Sequence, residues 1–291
     1  MAVTELAYVN GHWRPPAEAQ VSVLDRGFLF ADGVYEVIAA YGGRPFALDG
    51  HLRRLARSLR ELSLPDPHTP AQWRELCVEL ARRNGGGDLS LYLQVTRGAA
   101  PRRMGPFPDR VTPTVVGFCQ PLPGHPPEAL EQGLAAVTRP DIRWGRCDIK
   151  AVALLPNVLA MQYAREQGCN EALLVRGAPG PERVTEGASS NVLAVVHGEI
   201  VTPPLDTEIL PGVTREVLLG LLRADGQTVG ERALSLAELR AADEVWLAST
   251  VREVLPVTRL DGAAIGSGRP GPRWRRAWEL FQEEKGLGAR G

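Results

Sequence analysis

The segment Asp141-Ile-Arg-Trp-Gly-Arg-Cys-Asp-Ile-Lys150 ends on one of the two lysines of the 291-residue chain. The other, Lys285, stands in a polar tail, whereas Lys150 is followed by Ala-Val-Ala-Leu-Leu. Lys and Arg together number 33, so 31 of them are arginine. An arginine stays protonated in a protein, but an apolar environment favours the neutral lysine amine, which can act as a base or nucleophile. Either a lysine stands here by chance in an arginine-rich sequence, or the function of the protein requires a lysine amine at this position.

The composition is that of a soluble globular protein, with 44% hydrophobic and 23% charged residues. The net charge of −1 provides no basic field for nucleic acid. No apolar run approaches the roughly 20 residues of a membrane helix, and the first residues do not resemble an export signal. The four cysteines form no CxxC pair. We therefore expect a cytoplasmic protein with reduced thiols and no nucleic-acid or membrane partner.

The segment Pro121-Leu-Pro-Gly-His-Pro-Pro127 contains four prolines in seven residues. Such a stretch behaves as a stiff spacer. It predicts a linker, 121–127, between an N-terminal domain, 1–120, and a C-terminal domain, 128–291, that carries Lys150. A cleft between two such domains is the default place for an active site.

Hydrophobic periodicity and turn residues predict an α+β fold. In the first half we expect a sheet covered by two helices. Its predicted elements are hairpins at Asn10-Gly11 and Gly42-Gly43, a helix capped by Asp49 with the stripe Leu52, Leu55, Ala56, Leu59 and Leu62, a helix from Thr69-Pro70, and strands at 89–95 and 111–119. In the second half we expect a barrel-like domain. Its predicted elements are strands at 134–138, 172–175, 192–196, 200–201 and 245–248, and helices at 156–167, at 213–224 and around Trp274 and Phe281.

Several common active-site motifs are absent from the sequence. There is no G-x-x-x-x-G-K-[ST], no H-E-x-x-H and no G-x-S-x-G, and no G-x-G-x-x-G follows a predicted strand. The five histidines never stand at metal-ligand spacing, so we expect no metal site. A hydrolase whose histidine lies far from its nucleophile in sequence stays open.

Four segments carry most of the functional signal. They are Asp25-Arg-Gly-Phe-Leu-Phe-Ala-Asp-Gly-Val-Tyr35-Glu36, Arg146-Cys-Asp-Ile-Lys150, Thr185-Glu186-Gly-Ala-Ser-Ser-Asn191 and Leu210-Pro-Gly-Val213-Thr214-Arg215. In order and spacing they resemble the fold type IV pyridoxal-phosphate (PLP) aminotransferases, also called class IV. The segment before Lys150 and the run Gly168-Cys-Asn-Glu-Ala172 are most similar to D-amino-acid transaminases.

The resemblance implies a two-domain class IV fold, a homodimer, and amino transfer from a D-amino acid to a 2-oxo acid such as 2-oxoglutarate or pyruvate. It implies that Lys150 forms the Schiff base with PLP and then moves a proton as base and acid. It also implies that Glu186 pairs with the pyridine nitrogen. Without the motif, Glu186 would be predicted as an exposed loop residue.

The resemblance further implies phosphate contacts from Arg54, Ser249, Thr250 and the helix start at Val213-Thr214, where free N–H groups attract anions. Leu210 would contact the ring and Tyr35 the substrate. Helical periodicity alone places Arg54 opposite the leucine stripe and predicts a solvated side chain.

One loop departs from the D-amino-acid transaminase pattern, in which Arg-Gly is followed by Pro-Arg-x-His. The sequence here is Arg97-Gly-Ala-Ala-Pro-Arg102-Arg103-Met104, with methionine in place of the histidine. Arg102 or Arg103 could bind the substrate carboxylate as a fork. Branched-chain or (R)-amine transaminases and aminodeoxychorismate lyases share the fold and remain alternatives, as does a PLP-binding protein without catalytic activity.

Overall fold

The structure, a computed structural model, describes residues 5–100, 106–110, 112–177 and 181–290. The chain divides into two units. The first contains the chain as far as Pro123, the segment Ile149–Ala153 and the chain from Leu287; the second contains Gly124–Asp148 and Leu154–Gly286. The division after Pro123 lies inside the proline-rich segment 121–127. Lys150 groups with the first unit, which differs from its predicted place in the C-terminal domain.

The first unit is built on one antiparallel sheet with the strand order β2-β1-β6-β5-β3-β4. Its elements in chain order are β1 (Ala7–Val9), β2 (His12–Arg14), α1 (Arg26–Phe30), β3 (Gly33–Tyr41), β4 (Arg44–Pro45), α2 (Leu48–Glu61), α3 (Pro70–Arg83), β5 (Leu89–Thr96) and β6 (Thr114–Pro121).

Both predicted hairpins are confirmed. The turn residues Asn10 and Gly11 have φ of 48° and 89°, and Gly42 and Gly43 have φ of 56° and 80°. Two consecutive residues with positive φ match the right-handed twist of the strands that they connect.

Helices α2 and α3 pack on one face of this sheet, as predicted. The Thr69 side chain and Gln72 form a capping box at the start of α3. Two details of α2 differ from the prediction. Its N-cap is Ala47, and Asp49 lies in the first turn, where its carboxylate pairs with Arg74. Ala56 is exposed, because the buried face of α2 includes polar residues and is rotated away from it.

Strand β3 has two distinct faces. Val34, Glu36 and Ile38 are fully buried, whereas Tyr35 and Val37 are half-buried, as the alternation of a strand requires. The segment Ile149–Ala153 lies along this strand: Ala151 bridges Val34, and the Val152 N–H donates to the Gly33 carbonyl. Ile149 and Ala151 enter the same core as β3, which explains why Lys150 belongs to the first unit.

The second unit is built on a ten-stranded mixed sheet with the order β12-β11-β10-β14-β15-β7-β8-β9-β13 and β16 beside β15. Its elements in chain order are α4 (Pro127–Glu131), β7 (Leu134–Pro140), α5 (Leu155–Glu166), β8 (Glu171–Arg176), β9 (Arg183–Gly187), β10 (Asn191–Val196), β11 (Glu199–Thr202), α6 (Val213–Ala224), β12 (Val229–Glu231), β13 (Leu234–Ser235), α7 (Leu236–Arg240), β14 (Glu244–Ser249), β15 (Glu253–Leu260), β16 (Ala263–Ala264) and α8 (Pro272–Arg290).

The predicted strands and helices of this unit are present, whereas α4, β9, β12, β13, α7, β15 and β16 are not among the predicted elements. Helix α5 packs on β7 and β8, and α6 packs on β14. The ends that concern the site are the turn from β9 to β10, the start of α6 and the end of β14. Within the described part of the chain, no helix is long and apolar enough to cross a membrane.

Candidate active site

Lys150 lies against Tyr35 in the first unit. The Tyr35 N–H donates to the Lys150 carbonyl at 2.9 Å, which fixes the lysine backbone beside β3. Lys150 is half-buried between the buried Ile149 and Ala151, so its side chain lies on the same face as Tyr35. Its Nζ is 4.3 Å from the centre of the Tyr35 ring. The predicted catalytic lysine and the predicted substrate tyrosine are therefore in contact.

The opposite face of β3 holds a buried ion pair. Arg54 donates to both carboxylate oxygens of Glu36, through Nε and Nη2, at 2.7 Å each. His51 Nδ1 lies 2.8 Å from Glu36 Oε2. Although burial opposes ionisation, Arg54 and His51 lower the pKa of Glu36 to about 2. Burial lowers the pKa of His51.

This pair corrects the periodicity-based prediction for Arg54. The side chain is buried rather than solvated, because Glu36 on the sheet supplies a buried partner. The planar fork of the guanidinium is held in one orientation by the two bonds to Glu36.

Glu186 lies on β9 in the second unit and is 5% exposed. Its carboxylate accepts hydrogen bonds from Arg143 Nη1, from Asn191 Nδ2 at 3.1 Å and from the Leu210 N–H at 3.1 Å. Burial raises the pKa of Glu186 to about 7, and this effect exceeds the lowering by Arg143 and by the Leu210 N–H. A carboxyl group in this range exchanges a proton readily near neutral pH.

Arg143 joins Glu186 to a second carboxylate. Its Nε and Nη2 donate to the two oxygens of Asp141 at 2.9 and 2.8 Å, and Thr185 donates to Asp141 at 2.9 Å. These donors lower the pKa of Asp141 to about 2 despite its burial. Asp141 therefore carries the negative charge that compensates Arg143. Both residues stand in the segment that ends at Lys150, but the sequence alone assigns neither of them a role.

Asn191, the first residue of β10, connects Glu186 to the start of α6. Its Nδ2 donates both to Glu186 and to the Leu210 carbonyl at 3.0 Å. Its Oδ1 lies so close to Gly212 that a Cβ on that glycine would approach to 1.9 Å. Gly212, the N-cap of α6, therefore has a steric reason to be glycine. Leu210 is held beside Glu186 by its own N–H bond to that carboxylate and by the Asn191 bond to its carbonyl. Asn191 is a further residue to which the sequence alone assigns no role.

The predicted phosphate residues of the second unit lie at neighbouring ends of its elements. Val213 and Thr214 are buried in the first turn of α6, whose N-terminal N–H groups and dipole favour an anion. Ser249 ends β14 and Thr250 follows it, both half-buried. The pairing of Asn191 with Ala248 places this turn beside the start of β10.

The predicted site residues are thus divided between the two units. The first holds Lys150 with Tyr35, and Arg54; the second holds Glu186, Leu210, Val213, Thr214, Ser249 and Thr250. Arg102, Arg103 and Met104 lie outside the described residues.

The chemistry of these groups fits PLP. An amine is available for the aldehyde, a buried carboxyl with a pKa of about 7 suits the pyridine nitrogen, and the N–H groups at the start of α6 suit the phosphate.

Comparison with known proteins agrees with this interpretation. The family model "Amino-transferase class IV" matches residues 33–260. The D-alanine aminotransferase of Bacillus licheniformis is 43% identical over 273 residues, which cover 94% of each chain.

Solved structures of branched-chain amino acid aminotransferases superpose over most of the chain. The Escherichia coli enzyme has a TM-score of 0.87 at 27% identity and covers 96% of this chain and 94% of its own. The Thermobaculum terrenum enzyme in its PLP-form has a TM-score of 0.83 at 25% identity and covers 97% and 94%. The predicted two-domain α+β fold is confirmed. The chain belongs to the class IV aminotransferases.

Proposed function

We propose that this aminotransferase uses PLP to transfer the amino group of a D-amino acid to a 2-oxo acid such as 2-oxoglutarate or pyruvate. The observation that carries the proposal is the 43% identity to a D-alanine aminotransferase over 94% of both chains. The two branched-chain aminotransferases reach 27% and 25% identity over a similar length.

PLP, when bound, supplies an aldehyde carbon that accepts the amino group and a ring that accepts negative charge from the substrate Cα. Lys150 is proposed to bind the cofactor covalently and, once released, to move a proton at the substrate Cα. Its attachment to β3 supports this role, because the backbone bond from Tyr35 holds the lysine in place while the side chain changes partners.

Glu186 is proposed to pair with the pyridine nitrogen and to keep that nitrogen protonated. Its burial keeps water from the carboxylate, and its bonds from Asn191 and the Leu210 N–H fix the orientation of the group. Leu210, whose backbone is held by the same carboxylate, is proposed to contact the ring.

The phosphate is proposed to bind Arg54, Ser249, Thr250 and the N–H groups at Val213-Thr214. A helix N-terminus and a guanidinium are both suited to a doubly charged anion. The fixed plane of the Arg54 guanidinium supports its assignment, since an oriented fork loses less freedom on binding.

The substrate is proposed to bind beside Tyr35, with its carboxylate held by Arg102 or Arg103. The contact of Tyr35 with Lys150 Nζ supports the first assignment. The second rests on the loop sequence alone.

A branched-chain aminotransferase is the second candidate, because the solved structures that superpose on this chain include such enzymes. Half-reactions separate the two. The purified holoenzyme is mixed in single turnover with D-alanine, L-alanine, D-leucine and L-leucine, and the absorbance of the bound cofactor is followed. We expect D-alanine to change the spectrum within seconds and the L-enantiomers to change it much more slowly. Turnover of L-leucine alone would assign the branched-chain activity instead, and an unchanged spectrum with every donor would identify a binding protein without transfer activity.

We also propose that the protein is a homodimer located in the cytoplasm. Large apolar side chains are exposed on both units: Val23, Leu24 and Phe28 on the first, and Ile142, Leu155, Val158 and Leu159 on the second. Exposed apolar groups of this extent commonly mark an interface. The four cysteines are free, which supports a reducing compartment such as the cytoplasm. Light scattering after gel filtration gives the mass in solution; a monomer mass would contradict the dimer.

A further inference from the structure

Glu171, the first residue of β8, is a buried carboxylate without a role in the proposed reaction. Its side chain is 0% exposed. One of its oxygens, Oε2, accepts hydrogen bonds from Ser189 Oγ at 2.7 Å, Ser190 Oγ at 3.2 Å and Arg252 Nη1 at 3.0 Å. The other accepts from the Ala172 N–H at 3.1 Å. A buried carboxylate is costly to desolvate, and here four donors compensate that cost.

The donors come from two separate turns. Ser189 and Ser190 form the turn between β9 and β10, directly between Glu186 and Asn191. Arg252 lies in the turn between β14 and β15, three residues after Ser249. One carboxylate oxygen therefore connects the turn beside the pyridine residue Glu186 to the turn proposed to bind the phosphate.

Arg252 is tied to the second turn at more than one point. Its N–H donates to Ser249 Oγ at 3.3 Å, and its Nη2 donates to the Asn170 carbonyl at 3.0 Å. The Arg252 side chain is 28% exposed, so it lies at the surface end of this hydrogen-bond network, and Glu171 lies at the buried end. A guanidinium that bridges a carboxylate and a carbonyl can adopt few orientations.

We infer that Glu171 and Arg252 are positioning residues, which hold the Ser249-Thr250 turn at a fixed distance from Glu186. The ring and the phosphate of PLP could then be bound at the same time. The inference rests on the proposed function, in which Ser249 and Thr250 bind the phosphate. Neither residue is assigned any contact with the substrate.

Binding of PLP and of pyridoxal, which lacks the phosphate, to the apoenzyme tests the inference. The ratio of their dissociation constants measures how much the phosphate contributes to binding. We expect Arg252→Met to weaken PLP binding about tenfold and to change pyridoxal binding by less than about threefold. Arg252→Lys should recover part of the loss, because an ammonium replaces one of the two bonds. Glu171→Gln combined with Arg252→Met should lose no more than the worse single variant, since both remove one connection.

The matched control is Arg240→Met, which removes an exposed pair with Asp261 in the same unit. It should leave both dissociation constants unchanged. Equal losses for PLP and pyridoxal in Arg252→Met, or no loss in a folded protein, would overturn the inference. Arg252→Met decides the question even where Glu171→Gln fails to fold, because Arg252 is partly exposed.

Turnover of D-alanine tests the proposed function separately. A wild-type enzyme without that activity, in which Arg252→Met still lowers the preference for PLP over pyridoxal, would overturn the substrate proposal and support the positioning role. A wild-type apoenzyme that binds both compounds equally would overturn the phosphate assignment and the inference together.

Discussion

Arg143 donates to Glu186, and both side chains are more than nine-tenths buried. The guanidinium is at the same time held by Asp141, which offsets its charge. Two effects therefore act on the pKa of Glu186 in opposite directions. Burial favours the protonated carboxyl, and the positive charge of Arg143 favours the ionised one.

Removal of Arg143 shifts this balance in a known direction. Because Arg143 lowers the pKa of Glu186, Arg143→Met should raise that pKa above its value of about 7, so that the carboxyl stays protonated at neutral pH. We expect kcat to fall about 10- to 100-fold and its rise with pH to move to more alkaline pH. Steady-state rates from pH 6 to 10 measure both. Arg223→Met, which removes an exposed pair with Glu231, is the control; a pH profile identical to wild type would contradict the role of Arg143.

Lys150 can be tested against the one other lysine of the chain. Lys150→Ala and Lys150→Arg should both abolish the visible absorbance of the bound cofactor while circular dichroism stays native, since neither provides a neutral amine. Lys285→Ala removes an ion pair with Glu253 and should keep the absorbance. Borohydride reduction followed by peptide mapping locates the label. A label on any residue except 150 would refute the assignment.

Glu36 and Glu79 provide a matched pair for acid stability, since both have a pKa lowered to about 2. A lowered carboxyl pKa stabilises the fold above the unfolded value, near 4.5, and this stability is lost as the pH falls toward 2. For the buried Glu36 the loss should be on the order of 3 kcal/mol. Glu79 is only half-buried and its partners Arg82 and Arg83 are exposed, so these pairs are screened by solvent.

Urea unfolding at pH 7, 4.5 and 3 measures the difference between these two glutamates. Glu36→Gln should be strongly destabilised at pH 7, because it leaves Arg54 buried with a neutral partner, and its stability should vary less with acid than that of the wild type. Glu79→Gln should follow the wild-type curve at every pH. If the two variants behave alike, burial does not decide the strength of these pairs.

Two glycines around α6 test the contact with Asn191. A Cβ at Gly212 would collide with Asn191 Oδ1, whereas a Cβ at Gly220 has no neighbour within 4 Å. Gly212→Ala should displace Asn191, cost roughly 1–3 kcal/mol and weaken PLP binding. Gly220→Ala should leave binding unchanged and stabilise the helix by about 0.5–1 kcal/mol. Thermal unfolding and PLP titration measure these effects; tight PLP binding by Gly212→Ala would show that Asn191 can move without consequence.

The elements that can be predicted from the sequence are those whose hydrophobic pattern and flanking turn or cap residues indicate the same helix or strand. Strand β5 alternates apolar and polar residues, and α3 begins with a capping box, so both can be located. Strand β9 escapes prediction because its residues, Arg-Val-Thr-Glu-Gly, are largely polar; it is a strand because β8 and β13 pair with it. Strand β15 contains Pro256 and carries no simple alternation.

The site shows the same limit. Apolar periodicity misplaces Arg54 because it ignores buried polar residues, and α2 buries His51, Arg54 and Ser58 beside its leucines. One signal is available: Glu36 stands between Val34 and Ile38 on the buried face of a strand, and a buried carboxylate requires a partner. By contrast, the contact of Arg143 with Glu186 joins residues 43 positions apart, and nothing local in the sequence indicates it.

The five residues from Ile149 to Ala153 leave the second unit and return to it. A gene truncation that starts at residue 124 would thus encode Lys150 without the strand to which its backbone is hydrogen-bonded. A truncation that stops at residue 123 would encode the strand without the lysine. We expect neither fragment to bind the cofactor by itself. A chimera of two relatives would therefore have to take residues 149–153 from the same parent as the N-terminal unit.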